Sequence, residues 1–209
     1  MSPDDPDLAA LTGSRICHDL ASPIGAALTG LEFLSGAPGA GGPEEMALLR
    51  DSLAGARASL DLLRLAFGYA GTGSGCDAGP LGSAARGHLA ARPRLRLDWA
   101  LDGPLSRAAA RHLALAVLCT AQALPRGGLL SVAGADARGV RVTATADGDL
   151  AADPALWDGL TGRARLPAPD PRRAEFHLLA AHVARGAARI EVSRDAQSVA
   201  ITLLLHAQD

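Results

Sequence analysis

One histidine in this sequence stands apart because of its neighbours. His18 is followed directly by a carboxylate, Asp19, and five residues later by Pro23, within Ile16-Cys17-His18-Asp19-Leu20-Ala21-Ser22-Pro23-Ile24-Gly25-Ala26. The apolar residues Leu20, Ile24, Ala27, Leu31 and Leu34 are spaced 4, 3, 4 and 3, which is the a/d seam of a helix. A proline inside such a helix removes a backbone hydrogen bond and kinks it, at about 3 kcal/mol, so stability does not explain Pro23. With the seam set at zero and about 100° per residue, His18 points roughly 160° away from it. The pattern predicts a solvent-facing imidazole beside a carboxylate and a loosened turn, and this is the candidate reactive group of the chain.

The elements that hold such a group can be read outward from it. A second helical seam follows in Met46, Leu49, Leu53, Ala56, Leu60, Leu63 and Phe67. Between the two, Gly36-Ala37-Pro38-Gly39-Ala40-Gly41-Gly42 predicts a turn, and Pro43-Glu44-Glu45 suits a helix start, with proline in the first turn and acids at the positive dipole end. The product is an antiparallel helical hairpin. Two helices leave much of their apolar surface wet, so a second copy is expected to complete a dimeric four-helix bundle. Gly71-Thr72-Gly73-Ser74-Gly75 predicts a linker and follows a helix, not a strand, which argues against a phosphate cradle. Beyond it the texture becomes mixed: helices over 81–91, 105–124, 155–159 and 172–185, and strands over 95–101, 129–133, 139–146, 188–193 and 198–205. The expected fold is α+β, with residues 1–72 as the hairpin and 73–209 as an open sheet with helices on one face.

Composition narrows the chemistry further. The 20 basic residues are all arginine, and lysine and asparagine are absent, which removes P-loop nucleotide binding and Schiff-base catalysis. A net charge of −2 gives no general attraction to nucleic acid, and three Phe, two Trp and one Tyr leave few platforms for stacking bases. No apolar run is long enough for a membrane span, and the acidic start Met1-Ser2-Pro3-Asp4-Asp5 is unlike a signal peptide, so a cytoplasmic protein is expected. Cys17, Cys76 and Cys119 fit neither a disulfide framework nor a zinc site and are expected to be small buried hydrophobes. His177 and His182 lie about 140° apart on one helix and His88, His112 and His206 lack ligand partners, so structural roles and no metal are expected.

His18-Asp19-Leu20-Ala21-Ser22-Pro23-Ile24 resembles the H-box of two-component histidine kinases, His-Glu/Asp-x-x-x-Pro-Leu/Ile. The wider run through Leu34 is similar to the ChpT-like histidine phosphotransferases of alphaproteobacteria. That resemblance implies a dimeric hairpin followed by a degenerate histidine-kinase-ATPase-like α/β sandwich. A kinase ATP site would carry an Asn on one helix, an Asp-x-Gly-x-Gly box and a glycine-rich lid. Here Cys119 or Thr120 stands at the Asn place, Asp147 remains without the glycine pattern, and Ala174-Glu175-Phe176-His177 has no lid glycines, with Gly186 at the far end as a C-cap. ATP binding is expected to be lost.

The resemblance further implies that His18 accepts a phosphoryl group from a receiver-domain aspartate and passes it to a second receiver. The donor would be the receiver of a hybrid histidine kinase and the acceptors response regulators, with Mg²⁺ supplied by the receiver and no cofactor in this chain. Asp19 would take a proton from His18, orient its ring, or persist as an inheritance from kinases. Arg15 would meet phosphate or receiver carboxylates, or be a solvated helix charge. Ser22, Gly25 and Thr29 fall in line with His18 at roughly 200°, 140° and 180°, a small-residue stripe suited to close receiver docking or left by drift in an alanine-rich chain. Two other readings stay open: a non-catalytic adaptor for receivers, and a divergent kinase.

Overall fold

The computed structural model describes residues 7–36, 42–68, 75–135 and 139–204. The expected hairpin turn at 37–41, the linker at 71–74, the domain boundary at 72/73 and His206 lie outside them. Helix α1 (Leu8–Gly36) starts where the Asp7 carboxylate accepts from the backbone N–H of Ala9 and Ala10 at 3.1 and 3.0 Å, and it runs as one helix through Pro23. Helix α2 (Pro43–Phe67) opens on Pro43 with Glu44 and Glu45 in its first turn, as the sequence predicts. The two helices pack along each other.

The rest of the chain folds in the order β1 (Cys76–Asp77), α3 (Ala78–Leu89), β2 (Leu95–Ala100), β3 (Pro104–Leu105), α4 (Arg107–Gln122), β4 (Gly128–Ala135), β5 (Gly139–Ala146), α5 (Pro154–Leu160), a 3₁₀ turn (Pro171–Arg173), α6 (Ala174–Ala184), β6 (Ile190–Arg194) and β7 (Ser198–Leu204). The main sheet has the order β2-β4-β5-β7-β6, parallel between β2 and β4 and antiparallel elsewhere. In register, Val142 of β5 sits between Val132 and Ile201, and all three are buried. Helix α4 is buried almost all round because it touches α2, α3 and α6 as well as β5 and β7. The fold is the expected α+β arrangement of a hairpin and a mixed sheet with packed helices.

Three local expectations are corrected. The helix expected from 105 begins at Arg107, because Leu105 pairs with Cys76 and Ser106 caps the helix by accepting from the Ala109 N–H at 3.0 Å. The helix expected over 172–185 is split, since Asp170 caps a 3₁₀ turn before α6, which Gly186 then ends at φ +69°. Only Cys119 of the three cysteines is fully buried; Cys17 is exposed beside His18 and Cys76 is half-buried on the short strand β1. Among the described residues no helix is long and apolar enough to cross a membrane, and no cluster could hold a metal ion.

The hairpin meets the core unevenly. Leu11 of α1 and Leu62, Leu63 and Ala66 of α2 are buried, whereas Ile24, Leu28, Leu31, Met46, Leu53 and Leu60 are exposed. Of the seams read from the sequence, Ala27 and Leu63 are buried within the chain, while Ile24, Leu31, Met46, Leu53 and Leu60 are not.

Two histidines brace that core. His112 on α4 and His182 on α6 are buried, with Nε2 of the first 2.9 Å from Nδ1 of the second, which requires one donor and one acceptor nitrogen. Burial, then Arg111, His112 and Arg185, pull the His182 pKa from 6.5 down to about 4. The unfolded chain therefore takes up this proton first, and stability falls as pH drops from about 6.5 toward 4. Denaturant melts across that window should lose on the order of 1–2 kcal/mol that His182→Asn, already weaker at neutral pH, does not lose. Equal acid sensitivity in parent and variant would contradict this reading of the pair.

Candidate functional site

His18 projects from α1 with 62% of its side chain exposed. Its Nδ1 lies 3.1 Å from Oδ1 of Asp19, which is only 11% exposed. A carboxylate only accepts, so the proton belongs on Nδ1 and the Nε2 lone pair is left facing outward. The second Asp19 oxygen, Oδ2, lies 3.2 Å from Nε of Arg15, one turn earlier on the same helix.

Arg15 is committed within the chain. It is 12% exposed, its Nη1 donates to the Arg172 carbonyl at 3.0 Å, and its Nε lies 3.8 Å from Oε2 of Glu175. Glu175 stands in the first turn of α6 and is wholly buried. Gln122, the last residue of α4, donates from Nε2 both to Oε1 of Glu175 at 2.8 Å and to the Arg172 carbonyl at 2.7 Å. Burial pushes the Glu175 carboxyl above its ordinary value, with Asp19 adding to the effect, while Arg15 and the bond from Gln122 pull it back. Four elements, α1, α4, the 3₁₀ turn and α6, thus converge beneath the histidine.

The stripe of Ser22, Gly25 and Thr29 is exposed, and a Cβ added at Gly25 would meet nothing within 4 Å. Below His18 a cleft of about 940 Å³ opens between the hairpin and the α3 and α4 ends, lined in part by Arg15, Asp19, Ser22, Pro23, His88 and Arg92. On its wall, Nδ1 of His88 is 3.0 Å from the Ser59 hydroxyl, and burial lowers the His88 pKa. Arg92 donates to the carbonyls of Ala121 and Leu124 at the end of α4.

The residues that the resemblance sets at a kinase's nucleotide positions make structural contacts here. Cys119 and Thr120 are fully buried, and the Thr120 hydroxyl donates to the Ala116 carbonyl at 2.7 Å. Asp147 pairs with Arg96 at 2.8 Å and Asp149 with Arg126. Sequence reasoning did not find Glu175, Gln122 or the His88–Ser59 pair. A charged residue inside the apolar run Ala174-Glu175-Phe176-His177-Leu178-Leu179 was the available signal, because such a residue needs a buried partner.

Comparison with known proteins bears on the fold and the family. Residues 79–198 match the family described as the histidine phosphotransferase C-terminal domain. A 66-residue stretch is 48% identical to the protein phosphotransferase ChpT of Brucella abortus (strain 2308), covering 32% of this chain and 31% of that protein. The chain thus spans, in that alignment, about a third of its curated relative. A solved structure of a bacterial phosphotransferase superposes with a TM-score of 0.72 at 27% identity, over 94% of this chain and 95% of the other. With more than half of its length matched to the family and its whole fold superposable on a phosphotransferase, this chain belongs to the ChpT-like histidine phosphotransferases.

Proposed function

We propose that the protein relays a phosphoryl group between receiver-domain aspartates through Nε2 of His18. One observation carries the reading: an exposed imidazole has one nitrogen tied to Asp19 and the other directed outward. Neutral His18 attacks the phosphorus of a receiver's aspartyl phosphate in line. The N–P bond forms as the P–O bond breaks, and the electron pair leaves with the receiver carboxylate. The resulting phosphorylated imidazolium keeps its Nδ1 proton, which Asp19 accepts in a charge-assisted bond. The second receiver's carboxylate then reverses the step. Such transfer rests on positioning and charge neutralisation, and the receiver's Mg²⁺ supplies the latter.

Receivers dock over the exposed stripe of Ser22, Gly25 and Thr29, whose small side chains permit close approach. Donor and acceptors are the receiver of a hybrid histidine kinase and response regulators. ATP does not bind, a reading supported by the burial of Cys119 and Thr120 and by the ion pairing of Asp147. Incubation with a phosphorylated receiver should place an acid-labile, base-stable label on the chain, and His18→Ala should abolish both uptake and onward transfer. A His18→Ala variant that passes label at the parental rate would contradict the proposal and favour an adaptor.

The working unit is a homodimer. Its support is the exposed apolar face of Ile24, Leu28, Leu31, Met46, Leu53 and Leu60, which lies on the hairpin away from the core contacts. Burying a lone carboxylate in that face is strongly unfavourable. Leu53→Asp or Leu60→Asp should therefore sediment as a folded monomer, while the parent sediments as a dimer. A monomeric parent would contradict the assembly.

A further inference from the structure

Among the described residues, three buried side-chain polar atoms make no hydrogen bond: Nε of Arg15, Oδ2 of Asp19 and Oε2 of Glu175. They face one another, with Nε 3.2 Å from the first oxygen and 3.8 Å from the second. These three atoms meet through charge, while the other polar atoms of the same side chains make directed bonds to the Arg172 carbonyl, His18 and Gln122. Both carboxylates compete for a single guanidinium, and one of them also receives the His18 Nδ1–H. Other charged and titratable groups face the cluster from neighbouring segments: His88 from α3, Arg92 from the loop between α3 and β2, and Cys119 from α4.

We propose that Glu175, oriented by Gln122, is a positioning residue for His18 that acts through Arg15 and Asp19. This rests on the phosphorelay reading above. By holding part of the Arg15 charge, Glu175 keeps that cation from neutralising Asp19, so Asp19 remains a strong acceptor for the imidazole N–H. The tie also fixes the base of α1 against α6, so the sheet layer, having lost its nucleotide chemistry, sets the electrostatics and placement of the histidine. Glu175 and Gln122 lie 157 and 104 positions beyond His18 in the sequence, and only the fold brings them beneath it.

Glu175→Gln separates this role from a packing role, because an amide of the same shape keeps the volume and can still accept from Gln122. Removing the negative charge leaves Arg15 uncompensated beside Asp19. NMR titration of the His18 imidazole in the unphosphorylated protein should then show its midpoint moved to lower pH. Transfer from a phosphorylated receiver should slow about tenfold, equivalent to about 1.4 kcal/mol at the transition state. The double variant Arg15→Gln/Glu175→Gln removes both charges and should return the midpoint toward the parental value. Gln122→Ala, which leaves the charges in place, should slow transfer less and serves if Glu175→Gln does not fold. A folded Glu175→Gln with parental midpoint and rate would overturn the proposal, as would parental transfer by Gln122→Ala where Glu175→Gln is unfolded. Loss of labelling in the parent would overturn the phosphorelay reading alone, since the midpoint shift is read without any transfer.

Discussion

A helix that carries a reactive side chain into solvent must be held still from below, and here a single guanidinium does much of the holding. Arg15 reaches from α1 to the Arg172 carbonyl and to Glu175 while pairing with Asp19 one turn later on its own helix. Leu11 adds an apolar anchor on the same end of α1. The upper part of the hairpin has no such support within the chain, as the exposed Ile24, Leu28 and Leu31 indicate. The polar ties of α1 to the core lie at the histidine's end, and apolar surface is left exposed farther along.

Burying a charged cluster is seldom the cheapest way to stabilise an interface, because desolvation offsets most of the Coulomb attraction. A leucine pair at Arg15 and Glu175 would pack α1 on α6 without that cost. What an apolar pair would lack is the link from the sheet layer to Asp19 and so to the imidazole. In the proposed relay, which needs no ATP site, the histidine would still have to meet a receiver in one orientation. The retained sheet, with Asp147 in a surface ion pair and Thr120 bonded to its own helix, is consistent with a layer kept for placement.

Much of this was legible in the sequence. Heptad spacing gave α1 and α2, alternation gave β5 and β7 to within a residue, and Gly186 and Pro43 marked helix ends through local chemistry. The outward direction of His18 and of the small-residue stripe followed from the angle each makes with the seam, and Asp19 from its place directly after His18. Other features depended on tertiary pairing. Strands of two residues, such as Cys76–Asp77, are too short to display a period. Glu175 and Gln122 enter the site because α4 ends and α6 begins near Arg15, and Arg15 looks from its own helix alone like a solvated cation. The outward-facing Cys17 shows the limit of composition: residue type favoured burial, while its place next to His18 decided otherwise.

In the proposed relay Asp19 holds Nδ1 of His18 so that Nε2 receives the phosphoryl group. Phosphorylating the ¹⁵N-histidine-labelled protein from a receiver and recording the nitrogen–phosphorus couplings identifies the bonded atom directly. The expected result is phosphorus on Nε2 of His18, with Nδ1 still protonated. Phosphorus on Nδ1, or on any other histidine, would contradict it.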